Sequence, residues 1–536
     1  MALVAGGARR VLVEVPPDSG LERASAAAGL ESVARPSSSP GWAAAPAPGG
    51  AAEHPWDQAH RAVRDPGSVG LESVAPPTYA EPDFVQTFPF PRPDSGGLES
   101  FTGSPCEDRA PDGFWPVGAP EFGWHLDDGH SQLRAARTRA GDPGDGRRVR
   151  VAHLDTGYDP RHSTLPLQVL SGLARNFADG DPNDATDPGR HFPGNQPGHG
   201  TATLALLAGN RVAIPGTGFS DFLGGAPFAE VVPVRIADSV VHFATSAMAR
   251  GIEYAIEAGC QVLSVSMGGV PARAWATAVN RAYDAGVAMF AAAGNRFGPS
   301  PPRMIVYPAR FNRVVAVCGV TADGRPYYQS QLHVHMQGCF GPPAKMGTAL
   351  AAYTPNTPWA VMGCGGSVGF GGGTSSATPQ AAAAAALWLQ SVAAPAGTEP
   401  WQRVEAVRRA LFASADRSHP AAGTYFGRGA LRASAALDQP FRTDLPKTPA
   451  DEVSFGWLRA AGVLEAAPTG VERMFEVEAL QVFLQSPRVQ ELAGGADPAS
   501  DPLPWAEAKP VLAELSRSPL ASRALRAHLA ALLVRA

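Results

Sequence analysis

Short, unbroken apolar runs rich in Val and Ala recur through the middle of the chain: RVRVAHLD ending at Asp155, EVVPVRI (230–236), QVLSVSM (261–267), GVAMFAAA (286–293) and RVVAVCGV (313–320). Each is short for a helix and lacks the polar alternation of a half-exposed strand, so each reads as a strand covered on both faces. Amphipathic stretches at 246–259 and 272–286 lie between them and read as helices. This alternation predicts a doubly wound, mostly parallel α/β sheet over residues 121–440, with two more helices in 380–415. From about 441 the pattern is helical only (471–493, 505–517 and 519–535) and reads as a separate helical extension, 441–536.

The N-terminal pattern is different. ARRVLVEV (8–15) reads as a strand, PPDSG as a turn and 21–29 as a short helix. GLESVA occurs at Gly29 and again at Gly70, after a helical stretch around 56–63, and GLES returns at Gly97. The irregular spacing excludes a solenoid. Two copies after two helices fit two βαβ-like halves of a small α+β module over 1–90, with chance or a gene-level duplication as the alternatives. Residues 35–52 and 88–113 are rich in Pro, Gly and Ser and read as loops or linkers, the main linker being 91–120.

Composition narrows the function classes. A chain of 536 residues that is 44% hydrophobic has room for a large core and is not disordered as a whole. A net charge of −5 without a long basic run gives a nucleic-acid partner no electrostatic support. The five cysteines (Cys106, Cys260, Cys318, Cys339 and Cys364) match no zinc spacing, and a disulfide framework is not expected. Cys318, inside VVAVCGV, reads as a buried structural thiol. No apolar window is long enough to span a membrane, and Arg9-Arg10 closes a short N-terminal apolar stretch. No signal peptide is read, and a cytoplasmic location is the expectation.

Three segments carry chemistry. Asp155 ends the first long strand of the α/β region in HLDTGYD. His199 opens an apolar helix in GHGTATLALLAG, and Ser375 opens another in GGGTSSATPQAAAAAAL. A serine hydroxyl is a poor nucleophile at neutral pH and needs an imidazole to take its proton. A carboxylate then fixes the imidazole tautomer and stabilises the imidazolium. Strand ends and helix N-termini suit this chemistry, because strand ends carry sites in parallel sheets and helix N-termini aim backbone N–H groups at them. Gly371–Gly373, Thr374 and Ser376 read as turn chemistry and not as a phosphate loop, since no Lys follows.

In this Asp, His, Ser order the segments closely resemble the aspartate, histidine and serine motifs of the subtilisin-like serine peptidases, the subtilases. The resemblance makes Ser375, the serine after Gly-Thr, the nucleophile in preference to Ser376. Three further stretches match in order. LSVSMGG (263–269) resembles the substrate-binding strand, so Ser266, Met267 and Gly268 would line the cleft. AAAGN (291–295) resembles the oxyanion segment, implying Asn295 as a transition-state donor with Gly294 beside it. VYPAR (306–310) resembles the segment below the specificity pocket. Asn295 taken alone also reads as a turn residue.

One departure concerns metal. Many subtilases bind calcium through an aspartate shortly after the catalytic one, and Thr164 stands at that position here. The acidic loop NFADGDPNDATDPG (176–189) offers Asp179, Asp181, Asp184 and Asp187, but without EF-hand spacing it reads as a solvated loop. No organic cofactor and no assigned metal site are expected, with calcium the one ion left open. TYAEPDF (78–84) resembles the closing strand of a subtilase propeptide, a small α+β module that assists folding and inhibits in cis. That implies the chain's own N-terminal region as an intramolecular partner, with 78–90 along the strand ending in Ser266–Gly268; an unrelated accessory domain is the alternative. The expected function is a serine endopeptidase acting on polypeptides through an acyl-enzyme, latent until cut in the linker. The rivals are an inactive binding or scaffold protein on this fold, which the intact Asp/His/Ser/Asn set opposes, and a peptide ligase or macrocyclase, which would have to exclude water from the acyl-enzyme.

Overall fold

Seven parallel strands form the central sheet of the computed structural model, in the order Ala349–Tyr353, Val314–Val320, Ala288–Ala292, Val262–Val265, Arg150–Asp155, Glu230–Arg235 and Arg175–Asn176. The structure describes residues 9–16, 30–34, 40–50, 52–71, 76–87, 122–144, 146–189, 197–240, 242–297, 304–328, 336–460, 469–501 and 503–535. The five runs that read as strands are all in this sheet. Ala349–Tyr353 and Arg175–Asn176 escape the sequence pattern: alanines carry little strand preference, and two residues carry no period.

Both faces of the sheet are covered. Helices Thr245–Glu257 and Arg273–Asp284 belong to the core on one face. His199–Ala208, Thr374–Ser391 and Pro400–Ser414 belong to the core on the other. Thr374–Ser391 is buried on every side as far as Trp388. Its run Ala381–Ala386 presents only methyl groups, so the helix can approach the strands closely on one side and the His199–Ala208 helix on the other. The chain passes from Glu230–Arg235 on one flank of the central strand Arg150–Asp155 to Val262–Val265 on the other. The strand order therefore reverses at Asp155, and the carboxyl edge beside such a reversal is where ligands bind in open α/β sheets.

The N-terminal module is a four-stranded antiparallel sheet in the order Glu31–Ala34, Gly41–Pro46, Arg10–Val15, Ala80–Pro82, with helix Pro55–Arg64 packed on it. The expected helix at 21–29, most of the second GLESVA copy and all of the linker 91–120 lie outside the described residues. One expectation is corrected. Residues 41–46, within the stretch that reads as a loop, form a central strand in which Trp42 and Ala43–Ala45 are buried. Flanking prolines and a run of alanines hide the strand in the sequence; in the fold Trp42 fills the core against the edge of Tyr79, 5.8 Å away between ring centres.

The C-terminal helices Gly470–Gln485, Pro487–Leu492, Trp505–Arg517 and Arg523–Arg535 do not stand apart as expected. Their apolar faces share one continuous core with the N-terminal module and the Thr245–Glu257 and Arg273–Asp284 helices. Ahead of them, the Asp451 carboxylate accepts from the backbone N–H groups of Asn312 (2.7 Å) and Arg313 (2.8 Å). Cys260, Cys318 and Cys339 are buried thiols, and Cys364 is disulfide-bonded. Among the described residues no helix is long and apolar enough to cross a membrane.

Buried titrating groups set an expected pH profile for stability. Burial lowers His60 and His153 to about 4 and His125 to about 3, from 6.5. These imidazoles are neutral when folded, so stability is lost as pH falls below 6.5, when the unfolded chain takes up protons that the fold refuses. Burial raises Glu81 and Glu253 to about 7 and Glu478 to about 8, from 4.5. Their stability is lost as pH rises above 4.5, when the unfolded chain releases protons that the fold retains. The two sets oppose each other between 4.5 and 6.5. Thermal unfolding followed by circular dichroism should give a Tm that is nearly flat across that window and falls on both sides. A Tm rising steadily from about pH 5 to about pH 8 would contradict this assignment.

Candidate active site

Asp155 lies at the carboxyl end of the central strand and is fully buried. Its Oδ1 accepts from the Thr156 backbone N–H (2.8 Å) and lies 2.7 Å from His199 Nδ1, while Oδ2 accepts from the Thr203 hydroxyl (3.0 Å). Burial opposes ionisation. The His199 imidazole and its hydrogen bond, with help from His153 and the Thr156 amide, outweigh it and hold the carboxyl below its ordinary range. A carboxylate bonded to Nδ1 leaves Nε2 as the ring nitrogen that exchanges a proton with a nucleophile.

Close approach of two glycines brings His199 to Asp155. A Cβ on Gly200 would sit 1.9 Å from the Gly157 carbonyl and 3.2 Å from Asp155 Cβ, so only glycine lets this helix start press on the aspartate loop. Asp187 then pins the joint. Its Oδ2 accepts from the Gly198 N–H (2.8 Å) and the Thr156 hydroxyl (3.1 Å), and that hydroxyl in turn accepts from the Gly200 N–H (3.1 Å). Thr203, one turn into the helix, lies 2.9 Å from His153 Nε2 as well as bonding Asp155, so a second buried histidine backs the carboxylate through a hydroxyl.

Ser375 is the second residue of the Thr374–Ser391 helix, where N–H groups have no partner within the helix. It is tied to the end of strand Val262–Val265: the Ser266 hydroxyl donates to the Ser375 carbonyl (3.0 Å), and the Ser375 hydroxyl donates to the Ser266 carbonyl (3.3 Å). Ser376 is engaged elsewhere, its hydroxyl bonding Thr354 Oγ1 and the Gly373 carbonyl, both at 3.0 Å. Asn295 follows strand Ala288–Ala292. Its Oδ1 accepts from the backbone N–H (2.9 Å) and the hydroxyl (3.2 Å) of Thr374, and the Thr374 hydroxyl also accepts from the Gly294 N–H (3.1 Å). With the carboxamide oxygen held this way, the amide's donor edge is the NH₂ group.

Asp155 and His199 are therefore joined directly, Ser375 is joined to Ser266, and Asn295 is joined to the residue before Ser375. The helix bearing His199 packs on the helix bearing Ser375. Trp359 adds a bridge that no sequence motif marks. Its ring meets His199 edge-on at 5.6 Å, and its indole lies against Gly371, in the glycine run leading into Ser375. Met267 is buried, and Gly268 is in contact with Val306 and the Tyr307 carbonyl, so the LSVSMGG and VYPAR segments meet. Asp187, Thr156 and Thr203 also belong to this candidate site; Thr156 and Thr203 stand inside the aspartate and histidine motifs and Asp187 in the acidic loop, but nothing in the sequence gives them this part.

The acidic loop is exposed over 180–184, as expected of a solvated loop, and is anchored on either side of that stretch. Asp179 pairs with the buried Arg235, and Asp181 and Asp184 accept from backbone N–H groups of Asn183 (2.9 Å) and Thr186 (2.8 Å). Asp187 is buried in the histidine clamp. Thr164 hydrogen-bonds His162 Nδ1 at 2.9 Å. Among the described residues no group of three or more His, Cys, Asp or Glu side chains is placed to hold a metal ion.

The N-terminal chain reaches the same edge. Val85–Thr87 pairs antiparallel with His242–Ala244 rather than with 266–268, and its described part ends at Thr87. Gln86 Oε1 accepts from the Val270 N–H at 2.8 Å, and only a glycine at 269 leaves room for it.

The sequence profile of the Subtilase family (Peptidase S8) matches residues 146–456, more than half of the chain. Thermitase from Thermoactinomyces vulgaris is 29% identical over 303 residues, covering 56% of this chain and 92% of that protein. Subtilisin BL from Lederbergia lenta is 32% identical over 243 residues, covering 45% and 76%. The crystal structure of fervidolysin from Fervidobacterium pennivorans, a keratinolytic enzyme related to subtilisin, superposes with a TM-score of 0.53 at 19% identity. The match covers 81% of this chain and 61% of that one, and shows the shared fold. With the doubly wound sheet and the site at its carboxyl edge, these matches establish that the chain belongs to the subtilase family, the subtilisin-like serine peptidases.

Proposed function

We propose that this subtilase is an endopeptidase in which Ser375 attacks the scissile carbonyl and His199 takes the serine proton and returns it to the leaving amine. Asp155 orients His199 and stabilises its imidazolium. Asn295 and the Ser375 backbone N–H receive the oxyanion, and water then resolves the acyl-enzyme. The substrate chain would lie against Ser266–Gly268 and Gly294. The observation that carries the reading is the buried 2.7 Å contact between His199 Nδ1 and Asp155 Oδ1, on a helix packed against the one that opens at Ser375.

Thr203 would act as a positioning residue through Asp155. A hydrogen bond to a charged group is worth roughly 1.5–3 kcal/mol, so Thr203→Val should lower kcat at least about tenfold with KM little changed. Thr203→Ser should restore it. Equal kcat in the two variants would remove Thr203 from this role.

We further propose that the N-terminal module holds the enzyme latent. Helices Thr245–Glu257 and Arg273–Asp284 have no side-chain cap from their own N-cap residues. Asp83 accepts from the Ser246 N–H (2.9 Å), and Glu81 from the N–H groups of Arg273 and Ala274 (both 2.9 Å), so the module supplies both caps. Glu14 adds an ion pair with Arg273 at 2.8 Å. With Gln86 also bonded to the Val270 N–H, cleavage alone would not free the module, and exposing the site requires that it leave. Full-length protein should hydrolyse a fluorogenic peptide at least about 100-fold more slowly than protein whose N-terminal module has been digested away. Equal rates would leave the module as an accessory domain.

A further inference from the structure

One carboxamide touches three parts of the chain. Gln481, on helix Gly470–Gln485, accepts from the Trp56 indole N–H of the N-terminal module (2.9 Å) and donates to the Pro271 carbonyl of the catalytic domain (2.8 Å). Trp56 and Gln481 are both buried, so these bonds form away from competing water. Asp57, the next residue, accepts from the N–H groups of Arg523 (3.2 Å) and Ala524 (3.1 Å) and so caps the Arg523–Arg535 helix. His54 Nε2 lies 3.2 Å from the Leu520 carbonyl. The Phe475 ring lies between His60 of the module, at 4.8 Å, and His528 of the last helix, at 4.2 Å. Gly470 packs so tightly on the Thr78 carbonyl that a Cβ there would lie 1.8 Å away. The tail thus grips both helix Pro55–Arg64 and the approach to the closing strand Ala80–Pro82.

The same tail is anchored on the catalytic domain. Asp451 takes the Asn312 and Arg313 amides, and Asp497 pairs with Arg310 with both side chains buried. Tail and catalytic domain are joined by a polypeptide that passes through none of the residues between 88 and 121. We propose that the C-terminal helices are a second anchor for the N-terminal module and slow its release from the catalytic domain after the chain is cut in that stretch. The physical basis is bivalency: the module is held by Glu81, Asp83 and Glu14 on the catalytic side and by Trp56 and Asp57 on the tail side. Because tail and catalytic domain are one chain, the second grip is intramolecular and dissociation requires both to open together. This deepens the latency reading above and gives the C-terminal extension a role. Activation then depends on destroying the module or loosening the tail.

The test uses the full chain carrying Ser375→Ala, which blocks self-digestion, and a recognition sequence for a sequence-specific protease inserted within 91–120. After the cut, the N-terminal piece is expected to co-elute with the remainder in gel filtration at nanomolar concentration. Asp57→Asn together with Gln481→Ala should release it on the order of 10–100-fold faster, as followed with a fluorophore on the piece. The uncut double variant should keep the far-ultraviolet circular dichroism of the parent, which separates loosened docking from misfolding. Glu81→Gln, on the catalytic side, should also accelerate release and shows that both grips count. Loss of the piece from the unsubstituted cut chain during the run, or release from Asp57→Asn/Gln481→Ala at the parental rate, would overturn the proposal. Co-elution does not depend on turnover, so retention of the piece here, together with an unsubstituted chain that stays inactive after its module has been digested away, would refute the endopeptidase reading and leave this one standing.

Discussion

Ser375→Ala is expected to lower kcat for peptide hydrolysis by on the order of 10⁶-fold, a magnitude known from a subtilisin itself, while Ser376→Ala keeps most activity. The two neighbours are separated by what they touch. The Ser375 hydroxyl makes one long hydrogen bond, 3.3 Å to the Ser266 carbonyl, at the open N-terminus of its helix. The Ser376 hydroxyl is fully buried and bonded at 3.0 Å to both Thr354 and Gly373, which is the setting of a structural group. Its removal should appear as a lower Tm and a nearly unchanged kcat. Both variants are to be assayed after digestion of the N-terminal module, so that docking does not mask turnover. An active Ser375→Ala enzyme with a dead Ser376→Ala enzyme would reverse the assignment.

Asn295→Ala should lower kcat by on the order of 10²–10³ with little change in KM, again a figure established on a subtilisin. The donor acts on charge that exists only in the transition state, so its loss should not weaken ground-state binding. Thr374 is what makes the geometry specific. Its N–H and hydroxyl hold Asn295 Oδ1 at 2.9 and 3.2 Å, fixing the plane of the carboxamide and the direction of its NH₂ edge. Asn295→Asp should therefore be nearly as damaging as Asn295→Ala, since it keeps the acceptor that Thr374 needs and removes the donor. A loss confined to KM would assign Asn295 to substrate positioning.

The strands flanking the site are legible because each is an uninterrupted β-branched or alanine-valine run, and its end is marked by a motif residue, Asp155 or Ser266. Ala349–Tyr353 and Gly41–Pro46 are not, because their alanines become strand only through neighbours distant in the chain. The motif residues Asp155, His199, Ser375 and Asn295 can be named from local sequence. Asp187, Thr203 and Trp359 cannot: each acts through a contact that exists only when the Asp155 loop, the His199 helix and the segment before Ser375 are folded together. Helical periodicity in 471–535 marks buried faces but not what buries them. The partners prove to be the N-terminal module, through Trp56, Asp57 and His60, and the catalytic domain, through Pro271 and Arg310.

Whether Ser375 is a nucleophile activated by His199 is decided by fluorophosphonate labelling with peptide mapping. The reagent forms a stable adduct only with an activated serine. On protein freed of its N-terminal module, one adduct per chain is expected, on Ser375, lost in His199→Ala and strongly slowed in Asp155→Asn. Labelling absent from the freed enzyme, or located on Ser376, or undiminished in His199→Ala, would contradict that role for Ser375.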